Sequence, residues 1–204
     1  FANSLTGILL RRVSDATLDT LHLHDLREGI DFTDVQNLTI SDSLFENFNP
    51  WIPFLEAGYD PAKHDHPDMI QYWAAGAVSG ISGVTISGNT FLMPEGGATQ
   101  TIFGHMDGAA AGVTARDFTI TGNVIVNGHL NAIRLGDVDG GLVDGNVLLP
   151  NGEIVSSVPQ IVLTGSSQDI TVRDNAMVEL GYFTGLGMTA EQLAAQDIPI
   201  EDLL

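Results

Sequence analysis

The chain has 204 residues, 44% of them hydrophobic, so it is long and apolar enough for one domain with a sizeable core. It carries 26 acidic residues against 7 basic ones, a formal charge of -19, which disfavours binding to nucleic acid or anionic membranes and favours cations. It has no cysteine, which excludes disulfides and thiolate metal sites, and no apolar run near the roughly 20 residues of a membrane-spanning helix.

Two kinds of short strand alternate along the chain. The first kind occurs as GILLR at 7, GIDFT at 29, MIQYW at 69, TIFGH at 101, AIRLG at 132 and QIVLT at 160. The second occurs as NLTISDSLF at 37, GVTISGNTF at 83, DFTITGNVI at 117, GGLVDGNVL at 140 and DITVRDNAM at 169, with a looser copy, TLHLHDLRE, at 20. Alternating apolar and polar residues predict half-buried strands, and the Gly-Asn and Asp-Asn pairs that follow predict tight turns.

The spacing of the second series predicts a solenoid. Its apolar centres are Ile40, Ile86, Ile120, Val143 and Val172, at intervals of 46, 34, 23 and 29 residues. These intervals fit a solenoid whose shortest coil has slightly more than twenty residues and whose other coils are lengthened by loops. An alternating β/α fold needs a helix of about ten or more residues between strands, and the glycine-rich intervals provide none.

The TISGNTF and TITGNVI units resemble the repeats of right-handed parallel β-helix proteins. The resemblance covers about residues 5 to 183. It implies short parallel strands stacked about 4.8 Å apart around a continuous apolar column, here in about six coils. Asn89, Asn123, Asn146 and Asn175 fall in register, which predicts a ladder of hydrogen-bonded asparagines along the axis.

The C-terminal segment differs from the repeats. TAEQLAAQ, residues 189–196, is typical of a helix with Thr189 as its N-cap. We therefore expect a parallel β-helix domain at 1–183 and a short C-terminal helix and tail at 184–204, with the helix covering or leaving the end of the stack. The absence of a comparable N-terminal cap predicts that the chain is part of a longer polypeptide.

Strand alternation assigns faces to the first series. The residues predicted to point inward are Ile8, Ile30, Ile70, Ile102, Ile133 and Ile161, with Phe32, Tyr72, Leu135 and Leu163 two positions on. The predicted outward column is Leu9, Asp31, Gln71, Phe103, Arg134 and Val162. A second outward column beside it is Arg11, Thr33, Trp73, His105, Gly136 and Thr164.

The long insertion at residues 46–68 leads directly onto this outward face. It ends in KHDHPD, which places Lys63, His64, Asp65, His66 and Asp68 together in a chain with few basic groups. Sites are usually built on loops held by a rigid scaffold, so this segment is predicted to form a wall or lid beside the outward column. A solvated polar turn is the alternative, in which the aspartates only cap backbone amides.

Proteins of the β-helix type that this chain resembles include pectate and alginate lyases, mannuronan C5-epimerases, polygalacturonases and phage depolymerases. The resemblance therefore implies a secreted or cell-surface protein that acts on a polysaccharide. Lyases and epimerases both begin by removing the C5 proton beside a uronate carboxylate. This step needs a cation to neutralise the carboxylate and a base to take the proton.

Candidate residues for this chemistry follow from the two columns and the loop. Arg134 or a bound Ca²⁺ would neutralise the carboxylate, and His66, His64 or His105 would take the proton. The predicted substrate-binding residues are Asp31, Lys63, Gln71, Trp73 and Asn131. The predicted Ca²⁺ ligands are Asp60, Asp65 and Asp68, although His64 and His66 with Asp68 would equally suit a transition metal.

Several alternatives stay open at this stage. The tyrosine-histidine-aspartate motif of mannuronan epimerases and the arginine-centred motif of pectate lyases are both missing. Hydrolysis would need two carboxylates across the bond, such as Asp31 with Asp68 or Asp107. A non-catalytic module that binds glycan or Ca²⁺ within a larger surface protein also fits the acidity. The turn GDVDGG, 136–141, resembles an acidic Ca²⁺ loop in composition only.

Overall fold

The computed structural model describes residues 6–48, 67–152, 158–179 and 182–184. Only the backbone is described at 178–179 and 182–184. The predicted helix at 189–196 and most of the KHDHPD loop lie outside the described residues. Among the described residues, all regular structure is β-strand. The described part has no helix long and apolar enough to cross a membrane.

The strands stack in parallel and form three faces of a solenoid. Two long strands, β1 (Thr6–Asp19) and β3 (Glu28–Ser41), bend through the first two faces. Face A contains their first halves together with β5 (Asp68–Trp73), β8 (Gln100–His105), β11 (Asn131–Gly136) and β14 (Gln160–Thr164).

The other two faces complete each coil. Face B contains the second halves of β1 and β3 with β6 (Ile81–Ser87), β9 (Ala115–Thr121), β12 (Val138–Asp144) and β15 (Gln168–Arg173). Face C contains β2 (His22–His24), β4 (Leu44–Glu46), β7 (Thr90–Leu92), β10 (Val124–Val126), β13 (Val147–Leu149), β16 (Ala176–Glu179) and the antiparallel β17 (Tyr182–Thr184). Both predicted series of strands are thus confirmed, and the three-residue strands of face C are the additional element.

The corner between faces A and B is held by an aspartate. Asp34 has a positive φ of 53°, a conformation that aspartate tolerates better than most residues, and it bends β3 at this point. Its fully buried carboxylate accepts hydrogen bonds from the backbone N–H groups of Val78, Ser79 and Gly80 at 2.8 to 3.0 Å. These bonds lower the pKa of Asp34, although burial acts in the opposite direction as the largest single influence. The loop after β5 is thereby tied to the coil before it.

The apolar column runs through the middle of the stack as predicted. Inward residues of face A, among them Ile30, Ile70, Ile102 and Ile133, are at most 1% exposed. Aromatic rings extend the column on the other faces: Phe45 stacks on Phe91 with ring centroids 4.7 Å apart. Leu163 is paired with Leu135 but is 42% exposed, because β14 is the last described strand of face A.

The predicted asparagine ladder is present at the turn between faces B and C. Each side-chain oxygen accepts from the asparagine of the preceding coil: Asn89 Nδ2 donates to Asn123, Asn123 to Asn146 and Asn146 to Asn175, at 2.8 to 3.0 Å. All four residues are at most 2% exposed. Ser43 occupies the same position one coil earlier, where its N–H donates to Asn89 Oδ1 at 3.0 Å.

A tyrosine crosses the core beneath face A. The Tyr72 hydroxyl accepts from the N–H of Gly136 at 2.9 Å and donates to its carbonyl at 3.0 Å. The ring passes over Gly104, where an added Cβ would lie 2.2 Å from the ring. Any side chain at position 104 would collide with the Tyr72 ring, which passes Gly104 on its way to Gly136 two coils further on. Position 104 therefore requires glycine.

Two sequence predictions are wrong in detail. The loose repeat at 20 was placed out of register: Leu18 pairs with Ile40 and His22 with Leu44, so the matching unit begins at Asp15. The second outward column is also incomplete. Thr33 is fully buried and its hydroxyl donates to the Trp73 carbonyl at 2.8 Å, since the chain turns the corner at this level.

Candidate functional site

Four residues of the outward column of face A form one row, and three of them are predicted site residues. Asp31 pairs with Gln71, Gln71 with Phe103, and Phe103 with Arg134, on successive strands β3, β5, β8 and β11. Each side chain is half-buried. At about 4.8 Å per strand, the row from Asp31 to Arg134 is about 14 Å long.

A cation and two rings cluster at the β8–β11 end of this row. The Arg134 guanidinium carbon lies 5.1 Å from the centroid of the Phe103 ring, within cation–π range. The His105 ring meets the Phe103 ring edge-on with centroids 6.0 Å apart, and His105 is the strand partner of Trp73. The structure thus brings the predicted Arg134 and His105 together around a phenylalanine, and Trp73 lies on the neighbouring strand as the pairing partner of His105.

His105 has a carboxylate neighbour on its own loop. Its Nδ1 lies 3.3 Å from Asp107 Oδ2 and also accepts the Asp107 N–H at 3.3 Å. The His105 side chain is 41% exposed and that of Asp107 is 82% exposed, so solvent screens this pair. The ring is accessible to a ligand on the outward face.

Carboxyl groups dominate the β3–β5 end of the row. Asp68 is fully buried at the start of β5, where its Oδ2 accepts from Gln71 Nε2 at 2.7 Å and its N–H donates to Glu28 Oε2 at 2.9 Å. Burial, and then the neighbouring Glu28 and Asp31, raise the pKa of Asp68 to about 9. Burial likewise raises the pKa of Asp31 to about 6, against a smaller lowering by Arg27. At neutral pH Asp31 is therefore the ionised partner of an uncharged Asp68.

Unsatisfied polar atoms concentrate on this face. Among the described residues, four buried side-chain atoms have no hydrogen-bond partner: Asp31 Oδ1, Asp68 Oδ1, Gln100 Oε1 and Arg134 Nε. They belong to β3, β5, β8 and β11, which are consecutive strands of face A. Folded proteins satisfy nearly all such atoms, and exceptions are common at functional sites.

The remaining predicted residues have different outcomes. Asn131 begins β11, is half-buried, and pairs with Gln160 at an irregularity of the ladder, three residues before Arg134. The predicted residues Asp60, Lys63, His64, Asp65 and His66 lie outside the described residues. Their place relative to the row therefore stays a prediction.

The described part of the chain contains no candidate metal centre. There, no group of three or more histidine and acidic side chains is close enough to hold a metal ion. Asp68, the described member of the predicted Ca²⁺ set, is engaged with Gln71 and Glu28 instead. The Ca²⁺ prediction rests on Asp60 and Asp65.

The turn that resembles a Ca²⁺ loop in composition has a structural role. The Asp137 carboxylate accepts from Ser166 N–H at 2.8 Å, from the Ser166 hydroxyl at 3.0 Å and from Met106 N–H at 3.2 Å. The Ser166 backbone bond is the main reason that the pKa of Asp137 is lowered. Asp137 thus ties three successive coils together at the corner after face A, where Asp34 earlier ties two.

Sequence reasoning missed two contributors to this face. Phe103 was placed in the outward column but given no role, although an outward phenylalanine beside an arginine is itself a signal for a cation–π platform. Glu28 was not considered, because it precedes the strand pattern that defined the columns. Its carboxylate accepts the Asp68 N–H and lies 2.8 Å from Arg27.

Comparison with known proteins gives one match. The family described as right-handed beta helix region matches residues 1–177. No curated protein and no solved structure matches the chain. The family match supports a carbohydrate-active or structural β-helix protein. Because the match spans most of the 204 residues and the strands stack in parallel coils, the chain belongs to the right-handed β-helix family.

Proposed function

We propose that this protein acts on an acidic polysaccharide by removing the C5 proton of a uronate residue, as a lyase or a C5-epimerase. The observation that carries the proposal is the coincidence of two features on one face. The Arg134–Phe103–His105 cluster, on β8 and β11, supplies a cation, a ring platform and an imidazole. The four buried atoms without hydrogen-bond partners lie on these two strands and on the adjacent β3 and β5.

Arg134 is the residue proposed to bind the uronate carboxylate. Its guanidinium carbon lies 5.1 Å from the centroid of the Phe103 ring, and its two terminal nitrogens are the donors proposed to bind the carboxylate. Pairing with the guanidinium stabilises the charge that the carboxylate gains when C5 loses its proton. The Phe103 and Trp73 rings offer apolar surface for the sugar ring.

His105 is the described residue proposed to take the proton. In the tautomer with the proton on Nδ1, this nitrogen donates to Asp107 Oδ2 instead of accepting the Asp107 N–H, and Nε2 is then the basic nitrogen. The C5–H bond breaks, the proton goes to Nε2, and the electron pair moves into the carboxylate held by Arg134. In a lyase the C4–O bond then breaks and the departing oxygen takes up a proton, whereas in an epimerase C5 regains a proton on the opposite side.

The other predicted residues have supporting roles in this proposal. Asp31, Gln71, Trp73, Asn131 and Lys63 would bind sugar hydroxyls and hold the chain along the row. His66 and His64 are alternative bases on the long loop, and Ca²⁺ held by Asp60 and Asp65 is an alternative neutralising cation. A polymeric substrate outside the cell implies secretion or display on the cell surface.

The proposal is tested by proton NMR of uronate polysaccharides incubated with the protein in D₂O, with and without Ca²⁺. A lyase produces unsaturated chain ends, and an epimerase introduces deuterium at C5. Arg134→Met keeps an apolar stem over Phe103 but removes the charge, and we expect a loss of about 100-fold or more in rate. Arg173→Ala is the matched control, because Arg173 pairs with Asp144 on face B and should leave the rate unchanged.

A non-catalytic glycan-binding module is the second candidate function. It is favoured by the openness of the site: the row lies along a strand face, and the His105 side chain is 41% exposed. In this case the polysaccharide would bind with Arg134-dependent affinity, but no unsaturated ends and no deuterium at C5 would form. Binding and turnover measured on one sample therefore separate the two functions.

A further inference from the structure

Face C has an apolar outer surface. Its three-residue strands turn their middle residues into the core, where Phe91 and Ile125 are 0% exposed, and their first and third residues outward. Strand pairing aligns the outward residues of β4, β7, β10 and β13 in two columns. The half-buried apolar members of these columns, here named the face C stripe, are Leu44, Leu92, Val124, Val126, Val147 and Leu149.

Strand propensity does not account for the face C stripe. An outward column of face B contains Thr39, Thr85 and Thr119, which pair on the consecutive strands β3, β6 and β9. Threonine and valine have similar shapes and both favour strands, so either residue would build such a ladder. Threonine suits a solvated face, whereas contiguous valine and leucine on an outward face indicate a surface that a partner covers.

Carboxylates border the face C stripe. Asp42 and Glu46 line a groove of about 370 Å³ that Leu92 also lines. Glu46 Oε1 lies 2.6 Å from His22 Nε2 on the preceding strand, and Glu95 is exposed on the loop after β7. Strands β2, β4, β7, β10 and β13 contain no lysine or arginine. A partner therefore meets apolar side chains bordered by negative charge, which favours a cationic partner.

A second copy of this chain does not suit the face C stripe. Four strands of three residues cover roughly 200 Å², whereas a stable interface between two proteins buries about 800 Å² on each partner. Two copies would also bring their carboxylates together, each copy with a formal charge of -19. The dimensions suit one extended chain segment, because three strand spacings span about 14 Å, the length of about five extended residues.

We propose that the face C stripe binds a short extended polypeptide segment of another protein, with apolar residues at alternate positions and a lysine or arginine at its ends. The alternate side chains point to one side of the segment and pack on the stripe. The basic residue at the end that reaches β4 meets Asp42 and Glu46. This surface is separate from face A, so the inference does not depend on the proposed function.

The test measures binding of the fluorescein-labelled peptide KLTVTLK, with its α-amino and α-carboxyl groups blocked, by fluorescence polarisation in about 0.1 M NaCl. The complete 204-residue chain is used. Two matched peptides separate the contributions: ELTVTLE reverses the charge, and KSTSTSK removes the apolar side chains. We expect KLTVTLK to bind at least about tenfold more tightly than either of them.

Variants of the protein locate the binding surface. Leu92→Lys puts a positive charge in the stripe at an outward position and should weaken binding of KLTVTLK about tenfold or more. Leu142→Lys is the matched control, because Leu142 is a half-buried outward leucine of face B. Glu46→Gln should weaken binding several-fold. Its control is Asp139→Asn, which changes an exposed aspartate of face B that accepts from Gln168.

Equal binding of the three peptides, or equal losses in Leu92→Lys and Leu142→Lys, would overturn the inference, because binding would then reflect the acidic surface as a whole. Absence of binding of KLTVTLK to the folded parent protein would overturn it too. A dimer of the parent in sedimentation velocity that Leu92→Lys abolishes would identify a second copy as the occupant instead. Melting curves check that each variant keeps the fold.

Discussion

Asp68 connects the candidate site to the stability of the fold. It is fully buried, and its pKa is raised to about 9, chiefly by burial and then by Glu28 and Asp31. The unfolded chain releases this proton near pH 4, but the folded chain keeps it until about pH 9. Folding is therefore favoured at low pH by this group, and its contribution falls as pH rises from about 4 to 9.

Asp68→Asn should remove this dependence, because an amide cannot titrate and can still accept from Gln71. If the folded protein holds one proton more than the unfolded chain, the free energy of unfolding falls by about 1.4 kcal/mol for each unit that the pH rises. Between pH 5 and pH 8, we expect the free energy of unfolding of the variant to fall less than that of the parent, by more than about 1 kcal/mol. Urea titrations across this range measure the difference, with Asp139→Asn as control. Parallel curves would contradict the assignment.

For individual residues, the sequence predicted which side chains share a face better than it predicted their burial and hydrogen bonds. Strand alternation placed Asp31, Gln71, Phe103 and Arg134 in one column, and the pairing confirms that row. The buried state of Asp68 and its bond to Gln71 were not predictable, because they depend on how β5 begins after a long insertion. The alternating pattern predicts which side chains share a face within a strand, but it does not predict the contacts of the segment that precedes the strand.

At the scale of elements, the asparagine ladder is a repeated hydrogen-bonding device. Asn123 donates to Asn146 Oδ1 and to the Ile86 carbonyl at 2.9 Å, and its oxygen accepts from the N–H and the amide of Asn89 at 3.0 Å. Every one of these groups is in a buried turn. The Asn123 side chain therefore satisfies two backbone groups of the preceding coil, and its own backbone N–H donates to Asn146 Oδ1 of the following coil.

Asn123→Ala should destabilise the protein by about 3 kcal/mol, since it leaves several buried donors and acceptors without partners. Asn123→Ser should cost less, because Ser43 already occupies this position in an earlier coil and its hydroxyl accepts from Leu21 N–H at 3.0 Å. Chemical unfolding compares the two with Thr121→Ala, a half-exposed neighbour expected to change stability by less than about 0.5 kcal/mol. Equal losses for alanine and serine would count against the ladder as the cause.

The ladder and the two strand series were predictable because they recur, and one copy supports the next. The strands of face C were harder to separate, since each has only about three residues and follows the turn directly. The first coil was misaligned for a related reason: Thr20 and Leu21 replace the usual Gly-Asn pair, so the turn signal is missing. The corners held by Asp34 and Asp137 occur twice, which is too few to form a visible repeat.

For the whole molecule, the formal charge of -19 means that the acidic surface repels itself. We expect the melting temperature to rise by roughly 3 °C between low salt and 0.3 M NaCl, which corresponds to about 1 kcal/mol in a chain of this size. Choline chloride at the same ionic strength should give the same rise, because screening does not depend on the cation. A larger rise with CaCl₂ at equal ionic strength would instead support Ca²⁺ binding at Asp60 and Asp65.

The proposed function of face A is removal of the C5 proton of a bound uronate, in which Arg134 binds the carboxylate and His105 takes the proton. The most direct measurement is deuterium at C5 and unsaturated chain ends in an acidic polysaccharide after incubation in D₂O with the parent protein, Arg134→Met, His105→Asn or Arg173→Ala. We expect signals from the parent and from Arg173→Ala, and a loss of about 100-fold or more in rate for the other two variants. Undiminished signals from Arg134→Met and His105→Asn, or no signal from a folded parent that binds the polymer, would contradict this function.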